Sequence, residues 1–540
     1  MKRWGTLITL SLAMFIIVID TTIMNVSISA LVEDLNTTVS GIQSAISIYA
    51  LVMAATILIG AKLSDIFGKK RIFIIGLIIY GVGTTVASFS SSLGMLIIGW
   101  SILEGVGGAL MIPNIQVLLR GTYEGEDLAF SYGIIGAVGA VGAAVGPIVG
   151  GFFTTFFSWR WAFRTEVLIV VIVLLLSRYL QKDVQKGRRP KFDFVGAGLS
   201  IFGWSSIVLG ILLAGKYGFF LAKEPFILGS WEIAPFGLSI TPILVGTGFI
   251  LVSLLFRWEG RLEEKGGDGL FRPSILETPG IRSGMAVRFV QMAITAAFLY
   301  ILPLLLQLSF EFTAMQTGVA LMPFSLSLLL LAIAGSKLSA RFTAKRLIQG
   351  GFVLSVAGLG AIAASIQPNI TPSDLVLGAL FGAGIGLIVS QILNLILSSV
   401  KQEQTAETAG LTSTFEQLGN SIGVALVGTV MLAALSVGLQ DDISTSSQIP
   451  DEAKPTLMAA AEDGVQLMSS TQFETGLTEA GVSQEDVDTL AEIYAFARTD
   501  AFKAGVALLI YAGLLGLLFT LGLSNRKLVG EETAEQPQPT

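Results

Sequence analysis

The sequence of 540 residues contains no cysteine and no histidine, and only 13% of its residues are charged. Without cysteine there can be no disulfide and no thiolate metal site, and without histidine the usual near-neutral proton carrier is missing. No Gly-x-x-x-x-Gly-Lys-Ser/Thr segment occurs, which excludes an ATP-driven P-loop motor on this chain. Because nothing assembles a nucleophile with a base, we expect no enzyme, no metal site and no bound cofactor.

Apolar residues are abundant instead, at 53% of the chain with a mean hydropathy of +0.76. Soluble domains carry about 25% charged residues, and a membrane-spanning helix needs about 20 apolar residues in a row. We therefore predict an all-α polytopic membrane protein with 14 transmembrane helices. The predicted spans lie near 6–28, 41–62, 72–90, 93–116, 128–153, 161–180, 195–214, 236–256, 284–307, 316–338, 347–366, 374–397, 408–435 and 503–523.

The basic residues orient these spans. If the N-terminus is cytoplasmic, 25 of the 33 lysines and arginines fall in cytoplasmic loops and ends, as the positive-inside rule requires. The first apolar run is read as a retained span, since Asp20 interrupts it and no cleavage site follows. We expect a monomer in the inner membrane of a prokaryote, with both termini cytoplasmic, the lipid bilayer as a partner and no nucleic-acid partner.

An internal repeat divides the chain. Residues 60–73 and 335–348 share seven of fourteen positions, and each copy follows the second span of a six-span set. The predicted architecture is thus 6 + 2 + 6. It comprises an N-terminal six-helix bundle (1–180), a linker with two inserted helices (181–283), a C-terminal six-helix bundle (284–525) and a disordered tail (526–540). Parallel repeats of this kind place a substrate cavity between the halves of a transporter.

Three motifs stand out within the first half. A loop after the second span contains an acidic residue, a glycine and a basic run, namely Asp65, Gly68, Lys69, Lys70 and Arg71. The fifth span carries a Gly-x-x-x-Gly-Pro-x-x-Gly-Gly segment, namely Gly142, Gly146, Pro147, Gly150 and Gly151. The first span contains Asp20 within Asp-Thr-Thr-Ile-Met-Asn-Val. Small residues allow close helix packing, and a carboxylate at membrane depth is a functional hypothesis by default.

Together these motifs resemble those of the major facilitator superfamily, and more closely its fourteen-span drug:proton antiporters, which export quaternary ammonium and other amphipathic compounds. The resemblance covers nearly the whole chain and implies the major facilitator fold. It implies that the Asp65 loop governs conformational switching, although the same basic run is also a topology signal. The glycine motif of span 5 implies export, and Asp20 is implicated in proton coupling or cation recognition. Span 4 departs from the pattern, because Ser101 and Glu104 replace the family's arginine and glutamine.

Ionisable side chains inside the spans are the candidates for ion exchange, since no histidine is available. We predict that Asp20 and Glu104 carry protons and that Glu166 or Glu416 contributes to substrate binding, with all four retained as candidates for both roles. Further predicted contacts to substrate are Arg288, Gln291, Gln43, Tyr49 and Asn394. Alternatively, Glu104 or Glu416 forms a structural ion pair with Arg288. Sodium remains open as a replacement for the proton.

We expect a proton-driven exporter of amphipathic, cationic small molecules, a multidrug efflux antiporter. Two alternatives remain, a dedicated exporter or translocator of one endogenous solute or lipid without proton coupling, and a non-transporting receptor or scaffold. Residues 441–500 form a long extracellular segment with thirteen acidic residues against Lys454 and Arg498. This segment is either a solvated cap or an electrostatic attractor for cations.

Overall fold

The computed structural model describes residues 4–181, 190–228, 231–366, 376–401, 404–446, 448–449, 451–462, 466–479 and 482–525. The predicted disordered tail (526–540) lies outside these residues, as does most of the basic loop between the first half and the inserted helices. The two ends of the bundle are named here by their residues. The basic end carries Lys69, Lys70 and Lys345, and the cap end carries the helices between residues 454 and 479.

The first half consists of eight α-helices with one π-helix. They are α1 (Gly5–Val26), α2 (Ile28–Asp34), α3 (Val39–Phe67), α4 (Lys69–Ser88), α5 (Leu93–Leu96), the π-helix (Ile97–Glu104), α6 (Gly105–Thr122), α7 (Gly125–Phe156) and α8 (Arg160–Leu176), followed by a 3-10 turn (Ser177–Tyr179). Side-chain caps define several starts. Thr38 accepts from the Gly41 amide before α3, and Ser92 accepts from the Met95 amide before α5.

The inserted region contains α9 (Phe194–Tyr217) and α10 (Ile240–Glu264). Between them lie a two-stranded antiparallel hairpin, β1 (Phe226–Leu228) and β2 (Trp231–Ile233), and a 3-10 turn (Pro235–Gly237). A second 3-10 turn (Pro273–Glu277) leads to the second half. Helix α9 packs on both α3 and α16, so the inserted pair lies against the seam between the two halves.

The second half contains nine α-helices in the described residues. They are α11 (Ile281–Ser309), α12 (Ala314–Ala320), α13 (Met322–Leu338), α14 (Ala344–Ser365), α15 (Gly378–Leu397), α16 (Thr405–Thr445), α17 (Lys454–Glu462), α18 (Ser470–Glu479) and α19 (Gln484–Phe519), with a final 3-10 turn (Thr520–Gly522). Thr313 and Gln316 form a reciprocal capping box at the start of α12.

Every predicted span coincides with helix, but the count of 14 is not confirmed. Twelve described helices are long and apolar enough to cross a membrane, and the bent pair α12–α13 brings the number to 13. Helix α8, with 17 residues, is shorter than the others. Two helices extend beyond the predicted spans. Helix α16 continues to Thr445 and α19 begins at Gln484, so both ends of the predicted 441–500 segment belong to long helices.

The two halves repeat the same set of helix pairs. In the first half, α1 packs on α7, α3 packs on α6, and α4 packs on both α6 and α8. The corresponding pairs in the second half are α11 with α16, α13 with α15, and α14 with both α15 and α19. The contacts between the halves are also symmetric. Helix α3 contacts α16, and α7 correspondingly contacts α12 and α13. This correspondence agrees with the sequence repeat and gives the molecule a pseudo-twofold axis along the bundle.

Hydrogen bonds join the halves near the cap end. The Gln307 side-chain amide donates to the Val26 carbonyl at 2.8 Å and accepts from the Ser29 amide at 3.2 Å, at the break between α1 and α2. On the other side of the axis, the Met315 amide donates to Thr155 Oγ1 at 2.9 Å. These contacts place α1 and α7 of one half directly against α11 and α12 of the other.

Helices α17 and α18 fold against the extended ends of α16 and α19. The Arg498 guanidinium donates to the Met468 carbonyl at 2.9 Å and to Ser470 Oγ at 3.0 Å, and Phe473 stacks on Tyr494 with centroids 4.2 Å apart. Thr471 Oγ1 donates to Glu311 in the loop between α11 and α12 at 2.6 Å. The acidic segment is therefore a docked helical cap. Helix α19 begins after Ser483, whose Oγ accepts a hydrogen bond from the Asp486 amide.

The Glu311 contact predicts a pH-dependent cap. Hydrogen bonds from Thr471 hold the pKa of Glu311 below its usual range. A lowered pKa in the docked state stabilises docking above the ordinary carboxyl pKa, and that stabilisation is lost as the pH falls through the lowered value. Hydrogen–deuterium exchange of residues 470–479, corrected for intrinsic rates, should accelerate below about pH 4.

The matched variants separate this contact from general acid effects. Glu311→Gln should exchange faster at pH 7 and lose most of the additional acceleration at low pH. Glu474→Gln, which removes an exposed carboxylate from α18 itself, should behave like the wild type. Equal acid sensitivity in all three proteins would show that Glu311 does not control docking.

Candidate functional site

Three carboxylates meet inside the first half. Asp20 from α1, Glu104 from the end of the π-helix and Glu166 from α8 each contribute an oxygen, and these oxygens all lie within 4.8 Å of one another. The three side chains are almost completely buried, with exposures of 1%, 0% and 2%. We call this group the carboxylate cluster. Two negative charges at such a distance repel by about 3 kcal/mol even in a medium of moderate dielectric, so three bare charges cannot coexist without compensation.

Asp20 is the best hydrogen-bonded member of the cluster. Trp100 Nε1 donates to both of its oxygens, at 3.0 and 2.9 Å. An indole N–H can only donate, so it favours the ionised carboxylate. The Trp100 ring stacks on Tyr49 of α3 with centroids 5.3 Å apart and an interplanar angle of 15°, which fixes the indole in place.

Glu166 receives weaker hydrogen bonds from α4. Tyr80 Oη donates to Glu166 Oε2 at 3.3 Å, and Thr84 Oγ1 donates to the same oxygen at 3.4 Å. Tyr80 Oη also lies 3.4 Å from the Ile16 carbonyl of α1. These distances lie at the long end of the normal range, so the hydroxyls surround Glu166 without holding it tightly.

Glu104 is the least well supported member of the cluster. Both of its carboxylate oxygens are buried, and neither has a partner at hydrogen-bond geometry among the described residues, although the Tyr80 and Thr84 hydroxyls and the Glu166 carboxyl lie nearby. Buried polar groups are almost always satisfied, and a buried charge without a partner is more costly still. The cluster therefore contains a carboxylate that requires a proton or a cation.

The π-helix and its glycines place Glu104 there. A π-helical turn inserts an additional residue and often marks a functional position. A Cβ at Gly83 of α4 would lie 2.7 Å from the Glu104 amide nitrogen, and one at Gly99 would lie 2.7 Å from the Ala87 amide nitrogen. Glycine at both positions lets α4 and the π-helix touch backbone to backbone, which brings Glu104 next to Tyr80 and Thr84.

No basic side chain compensates the cluster in the part of the chain that the structure describes. The Arg164 guanidinium on α8 lies over aromatic rings, 5.0 Å from the Trp161 centroid and 5.9 Å from that of Phe89. Arg288 lies in the other half, where it pairs with Glu416. The net charge of the cluster is thus set by whatever proton or cation it binds.

The Arg288–Glu416 pair connects α11 to α16. Arg288 Nη2 lies 2.8 Å from Glu416 Oε2, and Arg288 Nη1 donates to Gln291 Oε1 at 2.7 Å. The arrangement agrees with the alternative in which Glu416 serves as a partner of Arg288, whereas Glu104 belongs to the carboxylate cluster instead. The structure therefore groups Asp20, Glu104 and Glu166 in the first half and places Glu416 separately in the second half.

Other predicted contact residues occupy different environments. Gln43 donates to the Val424 and Ala425 carbonyls at 3.0 Å each and so joins α3 to α16 across the seam. Tyr49 supports Trp100, and Asn394 lies exposed on α15. The structure does not bring these three residues and Gln291 into one group.

The glycine motif of α7 is in contact with two helices. A Cβ at Gly142 would lie 3.2 Å from Val18 Cγ1, and one at Gly150 would lie 2.9 Å from Ile23 Cα, while Gly146 faces Thr22, all on α1. The other face of the motif meets the second half. A Cβ at Gly151 would lie 2.8 Å from Met315 Cα, and Pro147 contacts Gly318. The motif thus packs α7 between α1 and α12.

The loop with Asp65 makes the turn between α3 and α4 at the basic end. Gly68 has a φ of 103° and its amide donates to the Ser64 carbonyl, so the tight turn depends on glycine. Lys70 Nζ donates to the Leu180 carbonyl at 2.8 Å, and Asp65 is exposed at the end of α3. Lys69 and Arg71 follow at the start of α4.

Sequence reasoning missed Trp100, Tyr80 and Thr84. Trp100 precedes Glu104 by four residues, which is one turn of a helix, and that spacing could have suggested a shared face. Tyr80 and Thr84 have the same spacing on α4, but nothing in their own sequence pointed to Glu166, because that contact depends on the packing of α4 on α8.

Comparison with known proteins identifies relatives of the chain. A model of the Major Facilitator Superfamily matches residues 10–424. The chain is 28% identical to a probable actinorhodin transporter of Streptomyces coelicolor, over 80% of this chain and 73% of that protein. It is 25% identical to the cephamycin export protein CmcT of Amycolatopsis lactamdurans, over 77% and 83% respectively. It is 22% identical to the multidrug transporter protein MdtP of Bacillus subtilis, over 99% and 96%.

Solved structures share the fold. A bacterial homologue of the human lysosomal transporter Spinster, in an inward-facing and unoccupied conformation, superimposes with a TM-score of 0.58. The match covers 97% of this chain and 98% of that one at 15% identity. At this identity the likeness concerns the fold alone.

Two glycines of α6 provide a test of the packing behind Tyr80. A Cβ at Gly107 would lie 2.7 Å from Tyr80 Cα, whereas none of the surrounding atoms lies within 4 Å of a Cβ at Gly121. We expect Gly107→Ala to destabilise the protein by about 1–3 kcal/mol through overpacking. Gly121→Ala should leave the thermal-unfolding midpoint in detergent unchanged or slightly raised. Equal midpoints for the two variants would contradict the close α4–α6 contact.

The charge pair of the second half can be tested by a double-mutant cycle. Removing one partner of a fully buried pair costs about 3–5 kcal/mol, and the cost here should be lower because the Glu416 side chain is 23% exposed. We expect Arg288→Met and Glu416→Leu each to lower the unfolding midpoint, and the double variant to regain part of the loss. Strictly additive losses would show that the pair does not couple the two residues.

Proposed function

Since the chain belongs to the Major Facilitator Superfamily, we propose that it is a secondary transporter that exports amphipathic, cationic small molecules in exchange for protons. Export is supported by relatives that are named for the export or transport of antibiotics and drugs. The family match and the fold exclude an enzymatic reading. The observation that carries the proton-exchange proposal is the carboxylate cluster, buried without a basic partner in the described residues.

The exchange follows from charge balance. A proton bound to the cluster removes one negative charge and lowers the repulsion among Asp20, Glu104 and Glu166. A cationic substrate brought near the ionised cluster supplies the same compensation, so proton and substrate compete for one favourable electrostatic site. Asp20, held by Trp100, keeps its charge most readily, and Glu104, which lacks a partner, is the member that takes up and releases the proton.

We further propose that the chain has fourteen spans arranged as 6 + 2 + 6. Helix α8, although only 17 residues long, packs on α4 and α1 just as α19 packs on α14 and α11. A helix of this length is at the lower limit for crossing a membrane. With α8 and the bent α12–α13 pair counted, the first and last described residues, Trp4 and Asn525, lie on the basic end, which we assign to the cytoplasm.

A dedicated exporter of a single solute is the second candidate. It is favoured by span 4, where Ser101 and Glu104 replace the arginine and glutamine of the resembled group. Ser101 Oγ donates to the Ala45 carbonyl at 2.8 Å, so this position packs α3 against the π-helix. The two candidates differ in the breadth of the substrates accepted and in whether a pH gradient drives the movement.

Uptake of a cationic dye into proteoliposomes with an acidic lumen tests proton exchange. The wild type should concentrate the dye until the pH gradient is collapsed. Glu104→Gln removes the titrating carboxyl group and keeps its shape, so gradient-driven uptake should fall by about tenfold or more, because the substituted residue cannot release a proton.

Glu492→Gln is the matched control, because it removes an exposed carboxylate from the cap. Its uptake should equal that of the wild type. Undiminished uptake by Glu104→Gln would remove Glu104 from the coupling mechanism. Dye movement that ignores the pH gradient in the wild type, together with normal reconstitution, would favour the dedicated exporter.

A further inference from the structure

The carboxylate cluster has the composition of a site for a metal cation. Its ligand atoms come from Asp20, Glu104 and Glu166 and lie within 4.8 Å of one another. Hard cations bind oxygen at about 2.3–2.6 Å, so ligands on opposite sides of such an ion lie about 5 Å apart and neighbouring ligands lie closer. One ion placed among the three side chains could therefore contact all of them with small rotamer changes.

Glu104 supplies an independent reason to expect an ion. Its two oxygens are fully buried, one of them lies in the cluster, and neither has a partner at hydrogen-bond geometry among the described residues. Asp20 has Trp100, and Glu166 has Tyr80 and Thr84, so the deficit lies at one defined position. An ion at this position would satisfy the only member of the cluster that the described residues leave unsatisfied.

Neutral oxygens complete the surroundings. Tyr80 Oη and Thr84 Oγ1 lie 3.3 and 3.4 Å from Glu166 Oε2, and the hydroxyl hydrogens of both can rotate away to expose a lone pair. The donor set consists of oxygen alone, which suits hard cations and disfavours soft transition metals. The chain has no cysteine or histidine that could change this preference.

We propose that Asp20, Glu104 and Glu166 form a Na⁺ site at which Na⁺ and protons compete. This proposal deepens the exporter proposed above and rests on the cluster being its ion-coupling site. Na⁺ carries the charge of a proton, so either ion leaves the cluster with the same net charge, whereas a divalent ion would add one more positive charge. The other titratable groups at the cluster are Tyr49 of α3 and Tyr80 of α4, and Arg164 of α8 faces aromatic rings instead.

Equilibrium binding of radioactive Na⁺ to the purified full-length protein tests the site without requiring transport. In Na⁺-free choline buffer the wild type should show saturable binding, and the half-saturating concentration should rise by up to about tenfold for each pH unit lowered while protons occupy the site. NaCl should raise the thermal-unfolding midpoint relative to choline chloride at equal ionic strength. Glu104→Gln should weaken binding at least tenfold, by about 1.4 kcal/mol.

Two further variants keep the test independent of folding. Glu104→Asp retains the charge and should bind Na⁺ more tightly than Glu104→Gln does. Glu492→Gln removes an exposed carboxylate from α19 and should keep wild-type Na⁺ affinity. The absence of saturable binding at every pH, or wild-type affinity in Glu104→Gln, would overturn the proposal. So would binding of Ca²⁺ without binding of Na⁺.

The ion site and the proposed transport can fail separately. Dye uptake driven by a pH gradient, without any Na⁺ binding, would refute the ion site and leave proton exchange intact. Na⁺ binding that protons displace, without dye uptake under either gradient, would support the ion site and refute the export of cationic dyes.

Discussion

The enclosure of three carboxylates in an apolar helix bundle is the constraint on which the rest of the first half depends. Their mutual repulsion and loss of hydration oppose folding unless a proton or cation is bound. The close glycine contacts among α4, the π-helix and α6 leave little room for the side chains to separate. The fold therefore holds its acidic groups at a distance where a single positive charge changes their energy substantially.

In the second half, a partly buried carboxylate is paired with a basic side chain. Arg288 and Glu416 neutralise each other, and Gln291 accepts a further hydrogen bond from Arg288, so this pair carries no net charge. A pseudo-symmetric molecule thus has an asymmetric distribution of unsatisfied charge. The proposed ion would contact α1, the π-helix and α8. Of these, α1 packs on the α7 glycines, which also meet α12, and its end at Val26 accepts a hydrogen bond from Gln307.

The sequence was sufficient for the parts of the fold that repeat along the chain. Apolar runs located the described helices that are long and apolar enough to cross a membrane, and the repeat at 60–73 and 335–348 predicted the symmetry seen in the helix pairs. Hydropathy did not locate the ends of α16 and α19, because their extensions are polar and lie against α17 and α18. Nor could it reveal the 40° bend between α12 and α13.

The sequence predicted the charged residues of the candidate site but not how they are grouped. Charged residues inside spans are conspicuous, so Asp20, Glu104, Glu166, Arg288 and Glu416 could each be found. Their grouping could not, since it depends on which faces of α1, α4 and α8 meet and on the wide π-helical turn before Gly105. The hydrogen-bond donors to Asp20 and Glu166 could not be found for the same reason. These donors are Trp100, Tyr80 and Thr84, and residues of these types are common in membrane helices.

The inserted pair changes how the molecule meets the lipid. Ser200 of α9 bonds to the Ala55 carbonyl of α3, while Thr429 of α16 bonds to the Ile211 carbonyl of α9, so this helix bridges both halves at one seam. At the symmetric seam, between α7 and α12–α13, the described part of the chain contains no second inserted pair. An amphipathic molecule dissolved in the bilayer thus meets two unequal flanks, one closed by an additional layer of helix and the other formed by the core alone.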